Sequence, residues 1–162
     1  MIDANFIQTM AESKAYILLS NGFIRTVVEL TLENVKDPEF CRKSSHLLSA
    51  LSISFDDSIT FNNFFFQNKG FEVVKALLKE YNSDDSISIS VLTMLKTVFV
   101  KVERIPFTNE ELESFLIDQR TIDFFKHSRE SKNKSVVSLC NSVVHYLCEC
   151  KPNLQTLENF FI

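Results

Sequence analysis

Apolar and small residues recur at helical spacing in three long segments of the chain. Steps of 4, 4 and 3 residues occur first over 40–51, then 47 residues later over 87–98, and 49 residues after that over 136–147. The positions are Phe40, Ser44, Leu48 and Leu51; Ile87, Val91, Leu95 and Val98; and Val136, Cys140, Val144 and Leu147. Because such steps place residues on one side of an α-helix, the pattern predicts three long helices with one buried face each.

A shorter apolar stripe and a polar corner precede each of the first two long segments. "NGFIRTVVELTLENVKDPEFC" runs from 21 to 41, and "NKGFEVVKALLKEYNSDDSIS" from 68 to 88. In the first corner, Asp37 is the predicted N-cap, with Pro38 at the first helical position. In the second corner, Asp84 or Asp85 can cap. The stretch "SISIS" alternates like a strand, but Ile87 falls in the helical register, which predicts the first turn of a helix.

The third copy is the most divergent. "IDQRTIDFF" has no glycine, and Ile122 and Phe125 take the places of Phe71 and Val74. There is also room for a further short helix ahead of each stripe, in "NFIQTMAESKAYILLS", "DSITFNNFFFQN" and "TNEELESFLID". In the last of these, Thr108 and Glu111 form a predicted capping box.

These observations predict a stack of three units, each with a short, a middle and a long helix over about 48 residues. One such unit cannot bury its own apolar faces, whereas stacked units share a continuous core. The predicted fold is therefore all-α, a right-handed α-α superhelix that forms a single domain over 1–162. Its repeats are expected at approximately 5–54, 57–102 and 107–150, followed by a C-terminal tail at 151–162.

The pattern resembles the armadillo-repeat family over roughly residues 13–150. "NGFIRTVVELTLENVKDPEFCRKSSHLLSALS" fits best, with a glycine at the entry to the second helix, a "DPE" corner and Ser44 as the small residue of the third helix. In the second unit the glycine comes one residue late and Val91 takes the small place; the third unit lacks the glycine. A HEAT-like or irregular α-solenoid fits the same pattern.

This resemblance implies a concave groove lined by the long helices, along which an extended peptide lies. The implied partner-binding residues are Lys43, His46, Ala50, Ser90, Thr93, Thr97, Ser142 and Tyr146. Importin-type members of the family carry Trp at the first central position and Asn at the second. In the three long segments of this chain, the first position holds His, Thr and Ser, and the second holds Ala, Thr and Tyr. The implied function is thus a non-catalytic interaction module for an extended or helical segment of another protein, and not classical nuclear-import cargo binding.

Composition narrows the class of function. The net charge of −4 and pI of about 5.4 argue against a nucleic-acid partner. Four cysteines are too few for a secreted disulfide framework, which favours reduced thiols in the cytoplasm or nucleus. The start "MIDANFIQTMAESK" lacks the apolar run of a signal peptide, and no stretch approaches the ~18 apolar residues of a membrane span. Sixteen Phe and no Trp predict a core filled by phenyl rings.

Candidate chemistry is sparse. "HYLCEC" suggests a metal site at His145, Cys148 and Cys150, but the two cysteines point about 200° apart on a helix, so we expect no metal ligation and no cofactor. His46 and His127 have no carboxylate placed to orient them, and the two glycines in the chain form no phosphate-binding loop, so we expect no catalysis.

Two further segments leave alternatives open. "FKHSRESKNK", at 125–134, is either a solvated corner or an anchor for an acidic or phosphate-bearing partner. "FNNFFF", at 61–66, and the tail "LQTLENFFI" either pack in the core or reach the surface. In the second case the chain is a self-assembling structural subunit that forms homo-oligomers through its Phe-rich terminal helices.

Overall fold

Helices make up most of the chain that the computed structural model describes, which is residues 22–54, 67–100 and 114–150. In chain order they are α1 (Phe23–Glu33), α2 (Pro38–Ser54), α3 (Gly70–Tyr81), α4 (Asp85–Val100), α5 (Gln119–Glu130) and α6 (Lys134–Cys150). These ranges contain no β-strand. The prediction of an all-α fold is confirmed.

Short and long helices alternate and form three pairs. The short helices α1, α3 and α5 have 11 or 12 residues, and the long helices α2, α4 and α6 have 16 or 17. Each short helix packs against the long helix that follows it. In addition, α4 packs against both α2 and α6, and α3 packs against both α1 and α5. The pairs are therefore joined in chain order through long-to-long and short-to-short contacts.

Side-chain caps fix the start of each long helix. Asp37 Oδ1 accepts hydrogen bonds from the backbone N–H groups of Glu39 and Phe40, both at 3.0 Å. Asp84 Oδ1 accepts hydrogen bonds from the backbone N–H groups of Ser86 and Ile87, at 3.0 and 3.1 Å. Asp37 is confirmed as the first cap, and Asp84 rather than Asp85 is the second. The strand-like "SISIS" is helical, as predicted. Asn133, which the sequence did not suggest, caps α6 through Ser135 N–H at 3.0 Å.

The entries to the short helices share a backbone conformation more than a residue type. Gly22 precedes α1 with φ of 73°, in the left-handed region. Lys69, 47 residues later, precedes α3 with φ of 66°. The glycine of this second entry, Gly70, is instead the first helical residue and is buried. At the third entry Asp118 is extended and accepts a hydrogen bond from Arg120 N–H at 3.0 Å.

The core is built from the predicted apolar stripes. Leu48, Leu95 and Val144, which hold the same place in the three long helices, are all buried. Four of the seven phenylalanines in the described ranges are fully buried, and one edge-to-face contact joins Phe71 to Phe115 at 5.2 Å between ring centroids. The small-residue place holds buried side chains in all three helices, namely Ser44, Val91 and Cys140.

The first position of the predicted apolar stripes is not buried in all three long helices. Phe40 is only half-buried, while Ile87 and Val136 at the same place are 1% exposed. The difference arises because α4 and α6 each have a preceding pair packed against them, whereas α2 is the first long helix of the described chain. Several predictions lie outside the described residues: the segment 5–20, the Phe cluster at 61–66, the capping box at Thr108 and Glu111, and the tail 151–162.

Candidate functional site

The three long helices share one strip of half-buried and exposed positions. On α4 the strip is Ile89, Thr93 and Lys96, which are half-buried and lie on the side away from the buried residues of this helix. Steps of 4 and 3 residues keep these side chains on one line. The equivalent positions on α6 are exposed or half-buried, as are the first two on α2, whereas Ser49, the counterpart of Lys96 on α2, is only 6% exposed. We call this surface the outer face, and it comprises Arg42, His46, Ile89, Thr93, Lys96, Ser138, Ser142 and His145.

Three of the predicted partner-binding residues lie on the outer face. His46 is exposed on α2, and Thr93 and Ser142 are half-buried on α4 and α6. All three hold the same place in their helices, so the structure brings together one of the two central positions that the family resemblance implied. As a binding site these residues remain a prediction.

The other predicted residues lie on a neighbouring side of the long helices. Lys43 and Ala50 are exposed on α2, but the residues at their places on α4, Ser90 and Thr97, are 3% and 7% exposed. On α6, Tyr146 is half-buried and packs against the core. This side of α4 is covered because it faces α2, and the equivalent side of α2 has no preceding long helix within the described ranges.

Hydrogen bonds explain how the buried hydroxyls are accommodated. Ser90 Oγ donates to the carbonyl of Ser86 at 3.1 Å, and Thr97 Oγ1 donates to the carbonyl of Thr93 at 3.0 Å. Ser52 Oγ on α2 donates to Thr97 Oγ1 at 3.4 Å. These hydroxyls therefore satisfy each other and their own helices between α2 and α4, and they are not displayed to a ligand on the outer face.

Sequence reasoning missed five members of the outer face: Arg42, Ile89, Lys96, Ser138 and His145. The implied groove used positions four residues apart, as in Thr93 and Thr97, whereas the exposed strip of α4 follows Ile89, Thr93 and Lys96. A signal was present in the sequence, since Thr97 lies about 40° further around the helix than Thr93 and so turns towards the neighbouring helix.

The charges on and beside the outer face are mostly basic. Arg42 is half-exposed and pairs with Asp84 at 2.8 Å, which links α2 to the corner before α4. Lys43 pairs with Glu39 at 2.7 Å within α2, and this hydrogen bond raises the pKa of Lys43. Both Lys43 and Glu39 are largely exposed, so their pair contributes little to stability. Lys96 has no ion pair among the described residues. It lies near the centre of the outer face.

The described cysteines are structural. Cys41, Cys140 and Cys148 are free thiols. Cys140 Sγ donates to the carbonyl of Phe125 at 3.6 Å, and burial raises the pKa of this thiol to about 11. Burial also raises the pKa values of Cys41 and Cys148. A thiol with a raised pKa is a weak nucleophile at neutral pH because the thiolate is the reactive form.

No group of three or more His, Cys, Asp or Glu side chains in the described ranges is placed to hold a metal ion. Of the residues in the "HYLCEC" motif, His145 is exposed and Cys148 is half-buried, and the side chain of Cys150 lies outside the described part of the structure. The ring of His145 stacks at a tilt beside Tyr146, with 5.8 Å between centroids. The imidazole therefore belongs to the outer face.

Comparisons with known proteins leave the family of the chain open. No protein-family model matches the sequence, and a search of curated proteins found no match to it. Within the described residues, no helix is both long enough and apolar enough to cross a membrane. The packing of the helix pairs and the chemistry of the outer face are therefore the observations from which a function can be proposed.

Proposed function

We propose that the chain is a non-catalytic protein-binding module with an armadillo-like solenoid architecture, which holds an extended or helical segment of another protein along its outer face. The order of contacts supports the architecture. In a solenoid each unit contacts only its neighbours, and here α4 packs between α2 and α6 while α3 packs between α1 and α5. The shared place of Leu48, Leu95 and Val144 in the core supports the same repeat register.

The outer face is the observation that carries the proposed binding. It crosses all three long helices without a covering helix among the described residues, and it mixes one apolar side chain, Ile89, with hydroxyl, imidazole and basic groups. Ser and Thr hydroxyls and imidazole nitrogens can bond the backbone of a bound peptide. Lys96, which has no ion pair among the described residues, favours a partner segment that carries carboxylates. The free thiols Cys41 and Cys140 are typical of the reducing cytoplasm or nucleus.

The test begins by identifying the partner. A photo-crosslinking amino acid at Thr93 in the full chain should capture a protein from a lysate of the source cell, and the same group at Thr26 on the surface of α1 is the control. Mass spectrometry identifies what is captured at the first position and not at the second.

Binding of the captured protein is then measured with Thr93→Arg, which places a large charged side chain in the middle of the outer face. We expect at least a tenfold loss of affinity, about 1.4 kcal/mol, with an unchanged thermal midpoint. Thr26→Arg adds the same side chain to an exposed site on α1 and should bind normally. Full binding by Thr93→Arg would place the site elsewhere on the molecule.

A second candidate function, self-assembly, is favoured by the exposed side of the first helix pair. Leu30 and Leu47 are 41% and 38% exposed, while their counterparts 47 residues later, Leu77 and Met94, are fully buried. Array ends without a polar cap tend to associate. The Phe-rich terminal segments on which the sequence prediction relied lie outside the described residues.

Light scattering over a range of protein concentrations tests self-assembly. If the exposed leucines join two copies, the mass should rise with concentration, and Leu47→Lys should return the chain to a monomer. Ile117→Lys is the matched control, because Ile117 is an equally large apolar residue that is 57% exposed in the third unit. A strict monomer at every concentration would exclude this function and leave the outer-face proposal intact.

A further inference from the structure

A cluster of cations surrounds the turn between α5 and α6. Residues 126–134, here called the basic corner, contain Lys126, Arg129, Lys132 and Lys134 with one acid, Glu130, and all five are exposed. Four cations less one acid give a formal charge of +3. Because the whole chain has a formal charge of −4, the remaining residues sum to −7. The basic corner is therefore the positive pole of an acidic molecule.

At the first corner of the chain, the turn between α1 and α2, a lysine forms an ion pair with the next helix pair. Lys36 directly precedes the N-cap Asp37, and its Nζ lies 2.6 Å from Oε2 of Glu80 in the last turn of α3. This hydrogen bond lowers the pKa of Glu80. Next to it, Tyr81 OH donates to the carbonyl of Val35 at 2.7 Å. A carboxylate and a hydroxyl from the end of the following short helix thus bind the first corner.

Lys132 occupies the same place at the third corner. It directly precedes the N-cap Asn133, as Lys36 precedes Asp37, and both lysines are exposed. Among the described residues no carboxylate pairs with Lys126, Lys132 or Lys134. The nearby carboxylate of Asp85 accepts a hydrogen bond from Ser131 Oγ of this corner, at 3.2 Å. Within the described residues, Lys132 is therefore a counterpart of Lys36 that has no ion-pair partner.

We propose that the basic corner is a docking site for an acidic segment of another protein, whose carboxylates occupy the position that Glu80 occupies at the first corner. The corner lies at the turn before α6, whereas the outer face runs along the long helices, so this inference stands apart from the proposed function. An acidic peptide fits better than a nucleic acid. The corner neutralises only about three phosphates, and the net negative charge of the rest of the chain disfavours a longer polyanion.

The strength of this contact is limited by its exposure. One exposed ion pair contributes little affinity, so tight binding requires several carboxylates that engage the lysines together. Such binding weakens as salt screens the charges, with a screening length of about 10 Å at 0.1 M. The interaction is therefore expected to be weak for single acids, stronger for clustered glutamates, and strongly dependent on salt.

A direct test uses the full chain and a fluorescein-labelled peptide of eight glutamates at low salt, with binding read by fluorescence anisotropy. The double variant Lys132→Glu with Lys134→Glu reverses the charge of two lysines in the basic corner, and Glu at the start of α6 is compatible with the helix. The control reverses Lys75 and Lys79, two exposed lysines on α3, and changes the net charge equally. We expect the corner variant to bind at least about tenfold more weakly and the control to stay within about twofold.

Three outcomes would overturn the inference. Equal weakening by both double variants would mean that overall charge alone attracts the peptide. Tighter binding of a single-stranded oligonucleotide with the same number of charges would make the corner a polyanion site. Loss of peptide binding in Thr93→Arg, with the corner intact, would assign the peptide to the outer face. Circular dichroism of each variant checks that the helices are unchanged, so that a folding defect is not read as lost binding.

Discussion

The backbone at the entries to the short helices can be tested at a single residue. Gly22 has φ of 73°, it is exposed, and a Cβ added there would meet no atom within 4 Å. The cost of a side chain at this position is therefore the cost of the left-handed backbone alone. Gly22→Ala should lower the free energy of unfolding by about 1 kcal/mol, measured by urea titration.

The reverse substitution is available at the second entry. Lys69 has φ of 66°, a conformation that costs less for glycine than for lysine. Lys69→Gly should leave stability unchanged or raise it by less than about 1 kcal/mol, since the flexible unfolded state of glycine offsets part of the gain. A loss of stability in Lys69→Gly equal to that in Gly22→Ala would contradict a left-handed entry at both positions.

The buried thiol of Cys140 predicts a pH dependence. Its pKa is raised to about 11 by burial, whereas the thiol of the unfolded chain ionises near its ordinary value of about 9. The folded state thus holds the proton more tightly, so this contribution to stability is complete below pH 9 and is lost as the pH rises towards 11. Cys140→Val, which keeps an apolar side chain of similar size, should lose less stability over this range.

The comparison uses urea titrations of both proteins at pH 7, 9 and 10.5. Wild type and variant share every other ionisable group, including Cys41, whose pKa is also raised by burial. The difference between their unfolding free energies therefore reports the thiol of Cys140 alone. If that difference is constant across the three pH values, the thiol is not protected from ionisation in the folded chain.

At the scale of the helix, Asp84 has two roles that substitution can separate. Its Oδ1 caps α4, and its Oδ2 pairs with Arg42 of α2 at 2.8 Å. Asp84→Ala should lower the unfolding free energy by about 1–2 kcal/mol, most of it from the cap. Arg42→Ala removes only the ion pair and should cost less than about 1 kcal/mol.

A double-mutant cycle over Asp84 and Arg42 gives the coupling between them. Asp85→Ala is the control, because Asp85 lies in the first turn of α4 without capping it. Among the described residues its carboxylate accepts a hydrogen bond only from Ser131, at 3.2 Å. If Asp85→Ala costs as much as Asp84→Ala, the cap has been assigned to the wrong residue.

The start of a helix could be predicted from the sequence where a capping or first-turn side chain defines it. Asp37 with Pro38 marks the start of α2 because both residues suit the first turn of a helix. The stretch "SISIS" is helical because the helical spacing of Ile87, Val91 and Leu95 outweighs its short strand-like alternation of polar and apolar residues. The left-handed conformation of Lys69 before α3 could not be predicted from the sequence, because the turn geometry, and not the nearby glycine, decides which residue is left-handed.

At the scale of the molecule, exposure depends on a residue's neighbours as well as on its place in a helix. Ala50 and Thr97 hold the same place, yet Ala50 is exposed and Thr97 is 7% exposed, because α2 covers that side of α4. The periodic pattern gave both residues the same predicted role. It could not show which helix has a neighbour on that side, and for this reason only His46, Thr93 and Ser142 of the predicted residues lie on the outer face.

The central position of α4 leads to the last prediction, a comparison of two leucines with the same place in their helices. Leu95 on α4 is 2% exposed and Leu48 on α2 is 0% exposed, so burial alone predicts equal effects of truncation. Among the described helices, however, α4 packs against long helices on both sides and α2 against only one. A cavity at Leu95 is therefore less free to collapse, and the cost of a cavity depends on how far its surroundings relax.

Leu95→Ala should lower the unfolding free energy by about 2–5 kcal/mol, and Leu48→Ala by less. Urea titration gives both values. Amide hydrogen exchange adds a second readout, because damage to α4 should weaken protection in all three long helices, whereas damage to α2 should stay mostly in the first pair. If Leu48→Ala costs as much as Leu95→Ala and lowers protection in α6 equally, the described helices unfold as one cooperative unit whose stability does not depend on the order of the pairs.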